Sequence, residues 1–510
     1  MSRPVTYLRP EAAASRRSRR VLAGVAVGVV LVLALSKVTS TDTWVHLSLG
    51  RWIVENGAVP RSNVLSYTQP DRPTIDHQWL FQVCLYALER GVGIDGVIVV
   101  KAVVVAAAFA AVLATARRKG ADPAIACLTL VVAACAARFR FTVRPQVVAF
   151  LLFGAYLGLV ERWRQDGSRL LAALLPLQVL WANLHGSAIL GCGLLLACAL
   201  AETARRLIAR GRRDVMPRPR PPTDLALLWG IAALSVPATL ANPNGVRLLT
   251  MPFTHAAAQA AYGLKELLQD RASLDWADLG SRHVFFAVLG VAGCFSVVVA
   301  LMRRDVTEAG LVAGLAWASV RSERFIGLFA IAVAPIVASN VSIALGTRRT
   351  TSATAGPRRA TSLGVAVAAL LLTGSAGLWM LSRHQPPGLG LAPGLFPERE
   401  TTWLHDHYKA ARLFNEFEDG GYVYWHTRRP VFIDSRGMLA YAPEFFRAYV
   451  EAWNSPTRWH AMMARHSPSV ALAHREPLKR MFRADPHWLE VAVAPASPDS
   501  RYSVFVRRAR

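Results

Sequence analysis

The chain is organised around residues 41–80, which read TDTWVHLSLGRWIVENGAVPRSNVLSYTQPDRPTIDHQWL. This polar, aromatic-rich stretch, called the outer stretch below, follows the first hydrophobic segment and carries the densest acid and histidine chemistry of the chain. Asp42 and His46 lie at its start, and Asp76 and His77 lie at its end. Because hydrophobic segments adjoin both ends, we expect the two carboxylates at the same membrane surface, where they can converge on one site.

The composition of the chain is that of a membrane protein. Hydrophobic residues make up 53% of the 510 residues and charged residues only 18%, which is unusual for a soluble protein. Several apolar runs reach or approach the roughly 18 to 20 residues that cross a hydrocarbon core about 30 Å thick. We predict a polytopic α-helical membrane protein with about eleven transmembrane helices, at residues 21–38, 94–116, 123–137, 145–161, 170–182, 187–203, 224–240, 284–302, 306–320, 325–343 and 363–382.

The formal net charge of +25 is spread over loops rather than gathered on one surface. Basic clusters occupy alternate loops, as the positive-inside rule predicts for the cytoplasmic side. This pattern indicates topology determinants and argues against a nucleic-acid partner. It places a basic tail, residues 1–20, in the cytoplasm, and the outer stretch and the C-terminus outside it. The clusters include Arg16 to Arg20, Arg117 to Lys119, Arg205 to Arg213 and Arg348 to Arg359.

Four short turns on the predicted outer side keep polar residues that topology does not require. Positive charge there runs against the positive-inside bias, and ionisable groups near membrane depth usually line a cavity or a ligand path. Alternatively, the arginines reach towards lipid headgroups and the Asn-Pro-Asn-Gly stretch is an ordinary turn; both readings stay open. The turns contribute Arg138, Arg140 and Arg144; Asn183 and His185; Asn242 and Asn244; and Arg321 and Arg324.

The composition changes after residue 382. Residues 383–397 form a Pro/Gly-rich linker, and residues 398–510 are predicted to form an extracytoplasmic α/β domain. Strands are predicted at 422–425, 431–433, 470–473, 489–494 and 502–506, and helices at 443–453, 457–466 and 477–482. This alternation favours a mostly parallel sheet. Asp434 and Arg436 follow a predicted strand, where such sheets often place ligand-binding groups.

A set of short motifs runs through the outer stretch, the outward turns and the C-terminal region. It comprises Asp42-Thr-Trp-Val-His46, Asp76-His77, Arg144-Pro-Gln146, Trp181-Ala-Asn-Leu-His-Gly186, Asn242-Pro-Asn-Gly245, Asp419-Gly-Gly-Tyr422 and Phe432-Ile-Asp-Ser-Arg436. The set resembles a large group of bacterial multi-pass proteins that are described as GT-C-fold glycosyltransferase-like. The similarity covers most of residues 21–345, so residues 21–382 are expected to form a GT-C-like transmembrane domain.

The resemblance implies a transferase of the bacterial cytoplasmic membrane with a polyprenyl-phosphate-sugar donor. Its acceptor would be a glycan, lipid or protein outside the cytoplasm. Asp42 matches the acidic residue in the first outer loop of GT-C enzymes, and Asp76 matches the second acidic position of lipid A aminoarabinose transferases and their relatives. The chain lacks a literal Asp-x-Asp, because Thr43 and Trp44 follow Asp42. Metal dependence is therefore left open.

The residue chemistry supports the same mechanism. Glycosyl transfer needs a base for the acceptor hydroxyl and positive charge for the phosphate leaving group. Asp42 suits the first role, with Asp76 and His46 in support. Guanidinium groups suit the second role because they match phosphate oxygens; the candidates are Arg138, Arg140, Arg144, Arg321 and Arg324, with His77, Asn183 and His185 as further substrate-binding residues.

Two questions stay open at the level of sequence. The first is whether His46, Asp76 and His77 orient the acceptor or bind a divalent metal, Mg²⁺ or Mn²⁺, with Asp42 and Asp76 as its ligands. The second is the function class. A lipid-linked oligosaccharide ligase or polymerase would use the same arginines without an acidic metal site. A transporter would show internal repeats and interrupted spans, and a non-catalytic assembly component of polysaccharide export would tolerate Asp42→Asn.

Overall fold

The computed structural model describes residues 10–210, 222–261, 283–347, 359–409, 411–493 and 501–508. The start of the predicted tail and parts of two basic loops lie outside these residues. The helices are α1 Pro10–Ala34, α2 Asp42–Asn56, α3 Trp79–Arg118, α4 Pro123–Ala137, α5 Gln146–Asp166, α6 Leu174–Leu184, α7 Ile189–Arg210, α8 Pro222–Leu240, α9 Arg247–Ala261, α10 Val284–Met302, α11 Val306–Arg321, α12 Ile326–Ala344, α13 Arg359–Leu381, α14 Glu398–His407, α15 Gly420–Thr427, α16 Pro443–Ala452, α17 Pro456–His466 and α18 Glu476–Ala484. The strands are β1 Leu413–Asn415, β2 Val470–Ala473, β3 Trp488–Val491 and β4 Ser503–Arg507.

The chain is a multi-pass helical membrane protein. Seven helices among the described residues are long and apolar enough to cross a membrane, namely Trp79–Arg118, Pro123–Arg140, Gln146–Asp166, Gly186–Leu207, Val284–Met302, Glu323–Ala344 and Leu363–Leu381. Two shorter apolar helices, Arg169–Leu184 and Asp224–Leu240, accompany them. Each predicted span overlaps a helix, although the span 21–38 runs four residues past the end of α1. A total of about eleven crossings stays a prediction. α12 is the central helix, because 89% of its apolar window is buried.

Helix α3 begins well before its apolar segment. The predicted span begins at residue 94, whereas the helix begins at Trp79, directly after the outer stretch. Gly93 interrupts it with φ 67° and ψ −179°, a backbone conformation that is essentially restricted to glycine. The segment before this kink packs against α2. The end of the outer stretch is therefore fixed beside its beginning.

The outer stretch is partly helical. Its first part forms α2, which ends at Gly57 in the left-handed conformation, as is common after a helix. The remainder is irregular but is closed by backbone hydrogen bonds, from Asn63 N to Arg72 O at 3.0 Å and from Thr74 N to Arg61 O at 3.0 Å. These bonds give the stretch a defined shape.

A cluster of buried charges lies at the opposite end of α3. Lys119 Nζ is 2.5 Å from Glu308 Oε1 and 2.9 Å from Glu161 Oε2. Arg164 Nη2 lies 2.7 Å from Asp305 Oδ2. The cluster joins the ends of α3, α5 and α11. Because buried charges need partners, these acids and bases neutralise one another beside the basic loops that were predicted to be cytoplasmic.

The C-terminal unit, the described residues from 398 to 508, contains a four-stranded sheet in the order β1-β2-β4-β3. Only β1 and β2 are parallel, and the other two pairs are antiparallel. The prediction of a mostly parallel sheet was therefore wrong. The predicted strand at 422–425 was also wrong, because these residues lie in α15, and residues 431–433 make only an isolated bridge. The helices α16 to α18 and the strands β2, β3 and β4 lie close to their predicted positions.

The C-terminal unit packs on the outer stretch through α15 and α2. The Trp44 ring meets the Tyr422 ring edge-on, with 4.8 Å between centroids. Arg51 Nη1 donates to Trp425 O at 3.1 Å. A Cβ atom on Gly421 would lie 2.8 Å from Val45 N, so only glycine permits this approach. This packing explains why residues 420–427 form a helix where β-propensity alone favoured a strand.

We expect Gly421→Ala to destabilise the protein by about 1–3 kcal/mol, because the added methyl group must push α15 away from α2. The measurement is the thermal unfolding midpoint of the detergent-solubilised protein. Gly24→Ala on α1 is the matched control, because a Cβ atom there meets nothing within 4 Å. Equal midpoints for the two variants would contradict the close packing of α15 on α2.

Candidate active site

The carboxylate of Asp42 is held at both oxygens. Arg144 Nη2 lies 2.7 Å from Asp42 Oδ2, and Ser435 Oγ donates to Asp42 Oδ1 at 2.5 Å. Arg144 is held in turn, since its Nε donates to Ser40 Oγ at 2.7 Å. Asp42 is also the first residue of α2, where the helix dipole favours a negative charge. All of these contacts stabilise the ionised form of the carboxylate.

The local fold brings Asp42 and Arg144 together. The outward turn between α4 and α5 carries Arg144, and Thr43 Oγ1 donates across to Val143 O in this turn at 3.0 Å. Asp42 and Arg144 remain partly accessible, with side-chain exposures of 28% and 21%. The ion pair is therefore reachable by a ligand.

Asp76 is the second carboxylate of the site, and it is buried. Its Oδ1 accepts hydrogen bonds from Gln82 Nε2 at 2.9 Å and from Gln78 N at 3.3 Å. Its Oδ2 is buried and has no hydrogen-bond partner. Burial raises the pKa of Asp76 to about 6, against the opposing effects of the Gln78 amide and the Arg436 charge. Asp76 thus offers one unsatisfied oxygen in a polar setting.

The histidines His46, His77 and His185 form an electrostatically coupled group. Burial lowers the pKa of His46 to about 3, with further contributions from Arg144 and the other two histidines. Burial likewise lowers the pKa of His77 to about 4. It lowers the pKa of His185 to about 3, assisted by His77, Arg324 and Arg140. At neutral pH all three rings are therefore uncharged and can donate, accept or ligate.

The predicted arginines divide into two groups. Arg140, Arg144 and Arg324 belong to the site. Arg140 Nε donates to Gln146 Oε1 at 3.0 Å, and Gln146 Nε2 donates to Arg324 O at 3.2 Å. Gln146 thus bridges two of the outward turns. Burial chiefly lowers the pKa of His185, and the charges of Arg324 and Arg140 contribute to the same shift.

The other two arginines lie elsewhere. Arg138 is fully buried, and it donates from Nε to Leu33 O at 3.2 Å and from Nη2 to Gln385 O at 2.9 Å. It ties the end of α1 to the linker, which does not fit the predicted role in phosphate binding. Arg321 is exposed and lies over the ring of Trp317, 5.7 Å from its centroid. It has the position of a residue that reaches towards headgroups.

The asparagines of the outward turns connect the site to its surroundings. Asn183 Oδ1 accepts from Trp79 Nε1 at 2.8 Å, and its Nδ2 donates to Ala241 O at 2.8 Å. Asn244 Nδ2 donates to Asp76 O at 2.9 Å. Both asparagine side chains are therefore occupied by hydrogen bonds to backbone carbonyls, and that of Asn183 also by a bond from the Trp79 ring. The structure therefore places Asn183 as a support of the site rather than as an open donor.

The predicted metal ligands Asp42 and Asp76 are not part of any three-ligand group within the described ranges. The one such group consists of Glu416, Glu418 and His474 in the C-terminal unit. Arg475 pairs with both of its glutamates, at 3.1 Å from Glu416 Oε2 and 2.5 Å from Glu418 Oε1. This arginine already supplies the positive charge that a cation would bring.

Sequence reasoning missed several residues of the site. Ser435, Ser40 and Gln82 make direct contacts with Asp42, Arg144 and Asp76, respectively. For Ser435 there was a signal, because its neighbours Asp434 and Arg436 had been noted at a strand end. Nothing in the sequence indicated that this segment meets Asp42, which lies 393 residues away.

Comparisons with solved structures concern the fold of the chain. No protein-family model and no curated protein sequence matches the chain. The oligosaccharyltransferase of Archaeoglobus fulgidus matches with a TM-score of 0.55 and 13% identity, over 89% of this chain and 69% of the other. The arabinofuranosyltransferase AftD from Mycobacteria matches with a TM-score of 0.55 and 16% identity, over 97% of this chain and 40% of the other. The chain has the GT-C fold.

The GT-C fold confirms the resemblance noted in the sequence. At these identities the likeness concerns the fold alone. The chain spans about two-fifths of the length of AftD. A second structure of the Archaeoglobus protein is a complex with Zn and sulfate, and it matches with a TM-score of 0.54 and 14% identity.

The raised pKa of Asp76 predicts a pH-dependent stability. The folded pKa of about 6 lies above the unfolded value of about 3.9. Stability from this group is therefore present below about pH 4 and is lost as pH rises through about 6. Asp76→Asn should become progressively more stable than the wild type between about pH 4 and pH 7, measured as the difference in thermal unfolding midpoint.

Asp71→Asn is the control for this experiment, because Asp71 is an exposed carboxylate in the same stretch. Its midpoint difference should stay constant over the same range. If the difference in midpoint between Asp76→Asn and the wild type were also independent of pH, Asp76 would not be buried as described.

Proposed function

We propose that the protein is a membrane glycosyltransferase of the GT-C type that moves a sugar from a polyprenyl-phosphate donor to an extracytoplasmic acceptor. The observation that carries the proposal is the 2.7 Å ion pair between Asp42 in the outer stretch and Arg144 in the turn between α4 and α5. It pairs a carboxylate with a guanidinium at a position that a membrane lipid can reach. The GT-C fold supports this assignment.

Asp42 is the base of the proposed reaction. The acceptor hydroxyl oxygen attacks the anomeric carbon while its proton passes to the Asp42 carboxylate. The bond between the anomeric carbon and the phosphate oxygen breaks, and the phosphate leaves with the electron pair. The contacts to Arg144 and Ser435 keep Asp42 ionised and oriented before the acceptor arrives.

The site has the positive charge that the leaving phosphate requires. Arg140, Arg144 and Arg324 converge on it from two outward turns. The neighbouring histidines are neutral, so the arginines supply the positive charge around them. Fixed positive charge next to developing negative charge lowers the barrier, because no solvent has to reorganise.

Asp76 supports the reaction through its unsatisfied Oδ2. The oxygen can accept a hydrogen bond from an acceptor hydroxyl, or it can ligate a divalent cation such as Mg²⁺ or Mn²⁺ together with His46 or His77. A cation bound there would neutralise phosphate charge.

A lipid-linked oligosaccharide ligase or polymerase is the second candidate. It would use the same arginines of the site to hold the pyrophosphate of its donor. Such an enzyme would keep its activity after chelation and after Asp76→Asn.

The proposed setting is the bacterial cytoplasmic membrane. The basic loops would face the cytoplasm, and the outer stretch and the C-terminal unit would face the opposite side, where a glycan, lipid or protein acceptor is available. Nucleic acid has no role in this proposal.

We expect Asp42→Asn to lower turnover by roughly 10²- to 10⁴-fold with little loss of donor affinity, because it removes the base and keeps the shape. The assay follows release of polyprenyl phosphate from synthetic polyprenyl-phosphate pentoses and hexoses by purified protein, with cell-envelope glycan as acceptor. Asp71→Asn should behave as the wild type. Comparable turnover for Asp42→Asn and the wild type would remove Asp42 from the mechanism.

Arg324→Gln should weaken donor binding on the order of 10-fold or more, because a charge-assisted contact to phosphate is lost. Arg321→Gln is the matched control, three residues away on the exposed side of the same turn. Binding is measured with a fluorescent polyprenyl-phosphate sugar in detergent micelles. The assignment of Arg324 is wrong if both variants bind this donor as the wild type does.

A further inference from the structure

The segment 434–436 of the C-terminal unit reaches into the candidate active site. Asp434 holds this segment in place, and its side chain is completely buried. Arg436 Nε donates to Asp434 Oδ1 at 2.8 Å, and Arg436 Nη2 donates to Asp434 Oδ2 at 2.7 Å. Tyr441 OH donates to Asp434 Oδ2 at 2.8 Å. A carboxylate with three such bonds leaves the chain on either side little freedom.

The same segment is fastened to the outer stretch. Arg436 Nη2 donates to Asn63 Oδ1, and Asn63 Nδ2 donates to Ala440 O at 3.1 Å. Ser66 Oγ donates to Phe432 O at 3.1 Å on the other side. Asn63 and Ser66 are both buried. The outer stretch and the segment 434–436 therefore form one surface with fixed internal geometry.

Ser435 stands on this surface and donates to Asp42 Oδ1 at 2.5 Å. With Arg144 on Oδ2, the two contacts fix the plane of the Asp42 carboxylate from opposite parts of the chain. His46 lies one turn along α2 from Asp42, and Arg436 follows Ser435 in the chain and also acts on the buried carboxylate of Asp76. Burial chiefly lowers the pKa of His46 to about 3, so this ring is neutral near pH 7.

We propose that Ser435 is a positioning residue for Asp42, so that the C-terminal unit completes the active site of the membrane domain. This inference rests on the proposed function. A hydroxyl that donates to the carboxylate stabilises its ionised form and selects the oxygen lone pair that faces the acceptor. If the C-terminal unit only packed against the membrane domain, residue 435 would need no hydroxyl group, and that group would not have to point at Asp42.

The test is Ser435→Ala in the full-length protein, assayed with the polyprenyl-phosphate sugar that the wild type consumes. Turnover should fall roughly 10- to 100-fold, the loss of one hydrogen bond to a charged group, with an unchanged KM for the donor. The acid limb of the pH–rate profile should move to higher pH, because the ionised carboxylate has lost a donor. Ser435→Thr, which keeps the hydroxyl, should restore the rate and the profile.

Ser455→Ala is the matched control, because Ser455 Oγ accepts a hydrogen bond from Arg458 N at the start of α17, away from Asp42. Combining Ser435→Ala with Asp42→Asn should give no further loss, since Ser435 acts through Asp42. If Ser435→Ala does not yield folded protein, Ser435→Cys carries the same test with a weaker donor of similar size.

The outcomes separate the two claims. No turnover by the wild type with any donor would overturn the proposed function, and the role of Ser435 with it. Wild-type turnover together with an unchanged rate and pH profile for Ser435→Ala would overturn the role of Ser435 alone. A loss that the Asp42→Asn background does not abolish would also overturn it.

Discussion

The candidate site depends on the ion pair between Asp42 and Arg144. The two residues come from different parts of the chain, and their contact joins the start of α2 to the turn between α4 and α5. Both are about three-quarters buried, so desolvation costs are substantial and must be balanced by further hydrogen bonds. Ser435 and Ser40 supply these bonds. The pair is thus held in place without being sealed from ligands.

The bilayer explains why the remaining charges lie where they do. Ionisable groups are costly within hydrocarbon and concentrate where they are paired or solvated. Among the described residues of the membrane domain, one group of charges lies around the outer stretch and another around Lys119, at opposite ends of α3. Between them, the buried Lys101 donates to Ser36. In the inner group acids and bases neutralise one another, whereas the outer group gathers arginines around neutral histidines. The arginines around the outer stretch are the reason for our proposal that an anionic ligand binds there.

Much of the membrane domain could be predicted from the sequence, because lipid demands long apolar helices and leaves a strong signal. The sequence placed the four polar turns on one side of the membrane; Gln146 joins two of these turns, and Asn244 joins a third to the end of the outer stretch. The individual roles of the arginines did not follow, since burial separates Arg138 from Arg144 and burial depends on packing. The helix at residues 420–427 was missed because contact with α2 overrides local propensity. Ser435 was missed because a contact across 393 residues has no local signature.

The most direct test of the account is a structure of the purified protein with a non-reactive polyprenyl-phosphate-sugar analogue. We expect the phosphate of the bound analogue to lie roughly 3 Å from the guanidinium group of Arg144 or Arg324. The anomeric carbon should then face the Asp42 carboxylate, with the polyprenyl chain running into the apolar bundle. Phosphate bound beside Lys119 at the opposite end of α3, or held by Arg475 in the C-terminal unit, would contradict the placement of the active site.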